Sequence, residues 1–197
     1  MAIRKKQIIT IAGRPGSGKS TTAKGVAAAL GYQHFSSGDL FREASKQQGL
    51  DVLQLNLAAE KAEGISTVDT LVDQRLRDIG NNEDTIVIDS RTAWHWIPQS
   101  FKVYLDLDLT TAAQRILAAM TPERIAAEHI PDDPDEYGKV LQNRLDSETR
   151  RYKKIYNIDP SKITNYDLVI DTKTTNLEQT VQMVLEKYKE WQEDQTN

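Results

Sequence analysis

Eight consecutive residues, Gly13-Arg14-Pro15-Gly16-Ser17-Gly18-Lys19-Ser20, constrain this chain more than any other stretch, because they fit the pattern Gly-x-x-x-x-Gly-Lys-Ser/Thr. The pattern carries meaning only between a strand and a helix, and both are legible. Gln7 to Ala12 is a short apolar, β-rich run, and Lys19 to Leu30 has an alanine-rich helical pattern stopped by Gly31. With ordinary Gly, Lys, Ser and Thr frequencies, a chance match in a chain of 197 residues is expected at roughly one per cent. Glycines let backbone N–H groups curl around a phosphate without Cβ clashes, and the helix that follows aims its positive end at the same oxygens. In such a loop Lys19 reaches the β- and γ-phosphates of a nucleoside triphosphate and the Ser20 hydroxyl ligates Mg²⁺. Gly13, Arg14, Pro15, Gly16, Ser17, Gly18 and Thr21 complete the expected ATP-binding turn. The bland alternative is a glycine-rich turn with an exposed lysine.

Further strands are predicted at Thr85–Asp89, Phe101–Leu107 and Asp167–Asp171, with helical spacing at Asp39–Gln48, Val52–Ala62, Thr67–Ile79, Thr111–Met120 and Asn176–Glu193. Strands alternating with helices imply a parallel sheet covered on both faces. Thr121 to Tyr156 breaks the alternation with three prolines (Pro122, Pro131, Pro134), the acidic stretch Asp132–Glu136 and a long charged helix, which reads as an inserted lid.

Composition excludes several classes of function. There are no cysteines, so disulfide frameworks, thiolate zinc sites and a cysteine nucleophile are all absent, and three scattered histidines make a dedicated transition-metal site unexpected. The formal net charge of −4 supplies no global cationic field for nucleic acid or anionic lipid. No apolar run approaches the length of about 18 residues that spans a bilayer. A cytoplasmic monomer with small-molecule partners is expected, with no nucleic acid and no membrane among them.

Asp89 ends a predicted buried strand, the usual place for an acid that holds Mg²⁺ directly or through water, although a strand-end aspartate can also cap a turn. Ser90 follows it, so the carboxylate pair with which motor ATPases activate water is missing, and no Asn-Lys-x-Asp guanine-reading motif occurs. Both absences favour transfer to a small acceptor over switch-like hydrolysis. An enzyme that joins two polyanions must neutralise them, and Arg42, Arg91, Arg115, Arg124, Arg144, Arg150 and Arg151 supply the cations. For each of them the alternative is a solvated helix face with i,i+4 pairing, as Arg144 can make with Glu148.

With these pieces in order, the sequence resembles the cytidylate kinases, most closely their short archaeal-type branch. The matching segments are the loop Gly13–Thr21, Phe35-Ser-Ser-Gly-Asp-Leu-Phe-Arg42, Val87-Ile-Asp-Ser-Arg91, the stretch from Arg144 through Glu148 and Arg151 to Asp159, and Tyr166–Asp171. The resemblance implies a three-layer α/β P-loop kinase fold in one domain spanning residues 1–197, with a five-stranded parallel sheet. It implies a helical acceptor-binding excursion at 37–79 and a lid at 121–156. It further implies transfer of the ATP γ-phosphoryl to CMP or dCMP with Mg²⁺ as cofactor. Carried over, Ser37, Asp39 and Arg42 hold the acceptor; Arg91, Arg144 and Arg151 clamp its phosphate and the transferring group; Glu148 lies near its sugar; Arg115 and Arg124 contact ATP from the lid. Lys19, Arg144 and Arg151 are the expected catalytic cations, and Ser20 and Asp89 the expected metal ligands. On this reading Arg151→Ala costs turnover with little loss of folding stability.

Three departures stand out. Ser90 occupies a position where the family usually has glycine, Trp94-His95-Trp96 brings two indoles that can stack on a base, and the 121–143 segment is longer than in the short branch. No catalytic histidine is needed, because a monophosphate oxygen is already an adequate nucleophile. The competing readings are a kinase for UMP, AMP or a non-nucleotide metabolite, and a non-catalytic nucleotide-binding regulator on the same scaffold.

Overall fold

Ile8, Ile9, Ile11 and Ala12 are all buried, and so is Thr10 between them, as a strand covered on both faces requires. They belong to β1 (Ile8–Gly13), the centre of a five-stranded sheet. The other strands are β2 (Gln33–Ser36), β3 (Ile86–Asp89), β4 (Phe101–Asp106) and β5 (Leu168–Asp171). The spatial order is β2-β3-β1-β4-β5 and every pairing is parallel. The computed structural model describes residues 6–49, 66–121 and 130–194. The predicted helix at Val52–Ala62 lies outside the described residues.

Parallel neighbours need crossovers, and the crossovers are helices: α1 (Lys19–Leu30), α2 (Ser37–Gln47), α3 (Thr67–Asn82), the short α4 (Ala93–Trp96), α5 (Leu109–Ala118), α6 (Pro134–Tyr156) and α7 (Leu177–Asp194). Alternate residues of the strands feed two apolar layers. Ile9, Ile11, Val87 and Val103 join Ala23 and Val26 of α1 and Val184 and Tyr188 of α7 on one face. Ile8, Ile86 and Ile88 join Val72, Leu76 and Ile79 of α3 on the other. A third cluster, built on Leu107, Ala112, Tyr137 and Leu141, ties α5 to α6. Among the described residues no helix is long and apolar enough to cross a membrane.

The strand absent from the sequence assignment is β2. It is four residues long, opens with Gln33 and His34, and lies half-exposed at the sheet's edge, so it lacks the apolar run that marks the inner strands. Its pairing shapes the functional end of the sheet, because register places Ser36 beside Asp89, and Asp89 beside Ile11, at the carboxyl ends of β2, β3 and β1. Ligands of open parallel sheets bind outside those ends.

Candidate functional site

The turn out of β1 is shaped by glycines. Gly13 has φ +148°, and a Cβ there would stand 2.2 Å from the main-chain oxygen of Leu105 on β4. Gly18 caps α1 in the left-handed region at φ +81°, and no described side chain caps the helix in its place. The first-turn N–H groups of α1 are thus left for an anion. Within the loop the Lys19 ammonium donates to the Arg14 carbonyl at 2.8 Å, and the Ser17 hydroxyl donates to the same oxygen at 2.8 Å. Burial brings the Lys19 pKa down to about 7, helped by the nearby Arg91 and Arg144 cations and opposed by Asp89.

That shift has a measurable sign. Above pH 7 the free protein holds Lys19 largely neutral, while a polyphosphate beside it favours the charged form, so binding takes up a proton. Calorimetric titration with ATP at pH 8, in buffers of differing ionisation heat, should show uptake approaching one proton per site. Affinity should fall as the pH is raised from 7 to 9. A buffer-independent heat would contradict the assignment.

At the end of β3, the Asp89 carboxylate accepts hydrogen bonds from the Ser20 hydroxyl and, at 3.3 Å, from the Ser36 hydroxyl. The Ser37 hydroxyl donates to the Asp89 carbonyl, also at 3.3 Å. One carboxylate and one hydroxyl side by side are the hard oxygen donors that Mg²⁺ accepts. Mg²⁺ takes most of its ligands from phosphates and water, so two protein donors suffice. Ser20 and Asp89 therefore fit it.

Facing them across a cleft of about 260 Å³ is α6. Glu148 is buried there, at 7% exposure, and serves two guanidiniums at once: Arg91 forms an ion pair with it, and Arg144 donates to it through Nε at 3.0 Å. Burial and the adjacent Arg144 lower the pKa of Arg91 to about 10, and burial lowers that of Arg144 as well. Arg42, Arg91, Arg144 and Lys19 line the cleft against the carboxylates of Asp89 and Glu148, and a polyanion that charges Lys19 tips this balance toward positive, the lining that a phosphate ligand calls for. Ser36, Ser37, Gly38, Phe41 and Ser90 line its remainder.

The other expected residues fall in different places. Arg42 borders the cleft, paired with Asp39 on the exposed side of α2. Arg14 turns to Asp106 at 2.9 Å, and Thr21 is exposed on the first turn of α1. Arg115 donates to the Thr172 carbonyl at 2.8 Å beyond β5 and does not line the cleft, while Arg124 lies outside the described residues. Arg151 is buried at 5% exposure behind the cleft wall, 3.5 Å from a carboxylate oxygen of the equally buried Asp69. The expectation that Arg151→Ala spares stability is corrected by this contact, because removing one partner leaves an uncompensated buried charge.

The indoles are committed elsewhere. Trp94 donates to the Arg91 carbonyl at 2.9 Å and Trp96 to Asp73 at 2.9 Å, with Arg77 stacked over the Trp96 ring at 4.0 Å. Neither lines the cleft. Ser90 does, and its hydroxyl accepts from the Thr92 N–H at 3.3 Å, so it stiffens the turn that presents Arg91.

Sequence reasoning missed Ser36, Phe41, Asp69 and Asp73. A signal existed for the last two: acids at 69 and 73 stand i,i+4 among the apolar positions Val68, Val72 and Leu76 of α3, where a surface helix would keep hydrophobic residues.

The sequence profile of the cytidylate kinase-like family matches residues 8–174. The chain is 39% identical over 168 residues to the cytidylate kinase of Natronomonas pharaonis, covering 84% of this chain and 80% of that protein. It is 33% identical over 187 residues to the cytidylate kinase of Thermoplasma volcanium, covering 92% and 91%. Among solved structures, shikimate kinase from Bacteroides thetaiotaomicron superposes with a TM-score of 0.61 at 16% identity, over 91% of this chain and 97% of that one, a likeness of fold alone. A profile match over most of the chain, together with relatives of this identity and coverage, makes the chain a member of the cytidylate kinase-like family, built on the fold of the P-loop kinases.

Proposed function

We propose that the protein transfers the γ-phosphoryl group of ATP to CMP or dCMP, yielding ADP and CDP or dCDP. The observation that carries this reading is the buried carboxylate of Glu148 held between Arg91 and Arg144, opposite Lys19 and the uncapped start of α1. Such a wall can neutralise two phosphate chains brought end to end, and the named relatives are cytidylate kinases.

The loop Gly13–Thr21 cradles the β-phosphate, and Lys19 leaves the Arg14 carbonyl to lie along the β,γ-oxygens. Ser20 and Asp89 would hold Mg²⁺, which would supply charge compensation to the phosphates during transfer. Ser37, Asp39 and Arg42 hold the acceptor from α2, within an acceptor region at 37–79. Arg91 and Arg144 align its phosphate, and Glu148, released as they turn to phosphate, is free to meet the sugar. An ionised oxygen of the acceptor phosphate forms the new P–O bond as the bond from the γ-phosphorus to the β,γ-bridging oxygen breaks. No proton has to move. A lid at 121–156, of which residues 122–129 lie outside the described residues, would exclude water and with it hydrolysis.

The reading is tested by incubating the protein with ATP, Mg²⁺ and each of CMP, dCMP, UMP, AMP and GMP, and resolving the diphosphates by chromatography. CDP or dCDP should form well above the others. Turnover of a different monophosphate would keep the mechanism and move the specificity, and no diphosphate from any of them would reject the reading.

A further inference from the structure

Two acids sit where α3 should be apolar. Asp69 and Asp73 are 3% and 6% exposed, one turn apart, on the face that otherwise carries Val68, Val72, Leu76 and Ile79. A carboxylate buried in such a stripe is unfavourable unless partners hold it, and a hydrophobic residue would be the simpler choice for stability. The partners come from other elements. Asp69 faces Arg151 of α6 at 3.5 Å, and Asp73 accepts from the Tyr156 hydroxyl of α6 and from the Trp96 indole of α4. Burial raises the pKa of Asp73, while the hydrogen bonds from Tyr156 and Trp96 oppose the rise.

These polar links join α3 to the end of α6, beside an edge contact of the Tyr156 ring with Trp96 at 5.3 Å. The buried apolar residues Tyr137 and Leu141 of α6 pack with α5, and among the described residues no α6 side chain belongs to the apolar cluster under α3. The guanidinium of Arg151 is the loaded end of the arrangement. It donates to the Tyr152 hydroxyl at 3.3 Å and lies 5.0 Å from the Tyr152 ring. It also lies 6.0 Å from the ring of Phe41, which lines the cleft. Its Nε is buried and has no hydrogen-bond partner among the described residues, so one donor stays unused. Burial pulls the Arg151 pKa down, but Tyr152 and Asp69 more than compensate and hold it above the ordinary arginine value.

We propose that Asp69 is a positioning residue for phosphoryl transfer: through its buried ion pair it sets where the Arg151 guanidinium lies beside the cleft, while Asp73 pins the end of the helix that carries it. The proposal rests on the assignment of phosphoryl transfer to this cleft. Asp69 also takes part in the start of α3, since Ser66 donates to its carboxylate at 2.7 Å and accepts from its N–H at 3.1 Å. Asparagine can keep that cap and the side-chain shape while removing the charge, so Asp69→Asn separates positioning from helix capping.

The test is a double-mutant cycle with Arg151→Met, followed by γ-labelled ATP. Asp69→Asn alone should lower kcat by on the order of tenfold to a hundredfold, with KM for ATP unchanged. In the Arg151→Met background the same change should be nearly silent, because its effect runs through the missing guanidinium. Equal losses in both backgrounds, or wild-type kcat for Asp69→Asn, would overturn the proposal. If the wild type phosphorylates no monophosphate, it is the transfer reading that has failed. The positioning claim then stands or falls on a readout without substrate: the Arg151 Nε–H resonance in nitrogen-15 spectra. It should shift in Asp69→Asn while those of Arg91 and Arg144 stay in place, and an unmoved Arg151 signal would reject the claim. This spectrum also decides the matter should Arg151→Met fail to fold.

Discussion

Replacing Arg151 by alanine is expected to lower turnover by about a thousandfold, the scale on which an arginine acts at a transferring phosphoryl group. It is expected to destabilise the fold at the same time. Arg151 and Asp69 have side chains only 4% exposed, so the variant leaves the Asp69 carboxylate buried with Ser66 as its remaining partner. Breaking a buried pair in this way costs about 3–5 kcal/mol. For a chain of 197 residues that is a fall in Tm on the order of 10 °C. Thermal unfolding and steady-state kinetics on the same preparation check both parts. A thousandfold loss of turnover with an unchanged Tm would show that the Asp69 contact holds nothing, and an unchanged turnover with a lowered Tm would make Arg151 purely structural.

Lys19→Met separates the two effects in the opposite sense. Removing the ammonium proposed to move from the Arg14 carbonyl to the phosphates should lower kcat by about a hundredfold to a thousandfold, as the loss of one preorganised charge-stabilising group does. Stability should hold or improve. The Lys19 pKa stands at about 7 against 10.5 for an ordinary lysine, so charging this group works against folding. That penalty grows as the pH falls from the lysine range to about 7 and is constant below it. The gain in Tm from Lys19→Met should therefore be larger at pH 6 than at pH 9. A variant less stable than the wild type at pH 6 would show that the Arg14 carbonyl contact outweighs the penalty. Arg151 and Lys19 thus illustrate two ways of keeping a buried cation. One is held by an acid and contributes to the fold; the other is held against its own preference until a phosphate arrives.

The phosphate loop was legible because its chemistry is local. Glycines at fixed offsets, a lysine and a hydroxyl residue specify one backbone shape between a strand and a helix, and Gly13 to Ser20 form it. The inner strands β1, β3 and β4 were legible for a related reason: a strand covered on both faces needs a mainly apolar run, and each has one, interrupted by Thr10 in β1 and by Lys102 in β4. β2 was not, since an edge strand of four residues with Gln33 and His34 in it carries no such run. The short helix α4 was equally hidden. Its four residues make less than two turns, too few for a periodic pattern, and the indoles suited to stacking on a base instead donate to Arg91 and Asp73.

By itself the sequence determined the phosphate-binding loop, the alternation of strands and helices, and which arginines were available, because these depend on neighbours within one turn or one strand. Tertiary structure decided how the arginines are used. Parallel pairing of β2, β3 and β1 gathers Ser36, Asp89 and the loop at the carboxyl ends of the strands. The docking of α6 then sets Arg91 and Arg144 on a single carboxylate and turns Arg151 to Asp69, 82 positions away in the chain. Ion pairs at that separation leave no periodic trace. Their energy depends on burial and on distances of a few ångströms, and both exist only once the helices have packed.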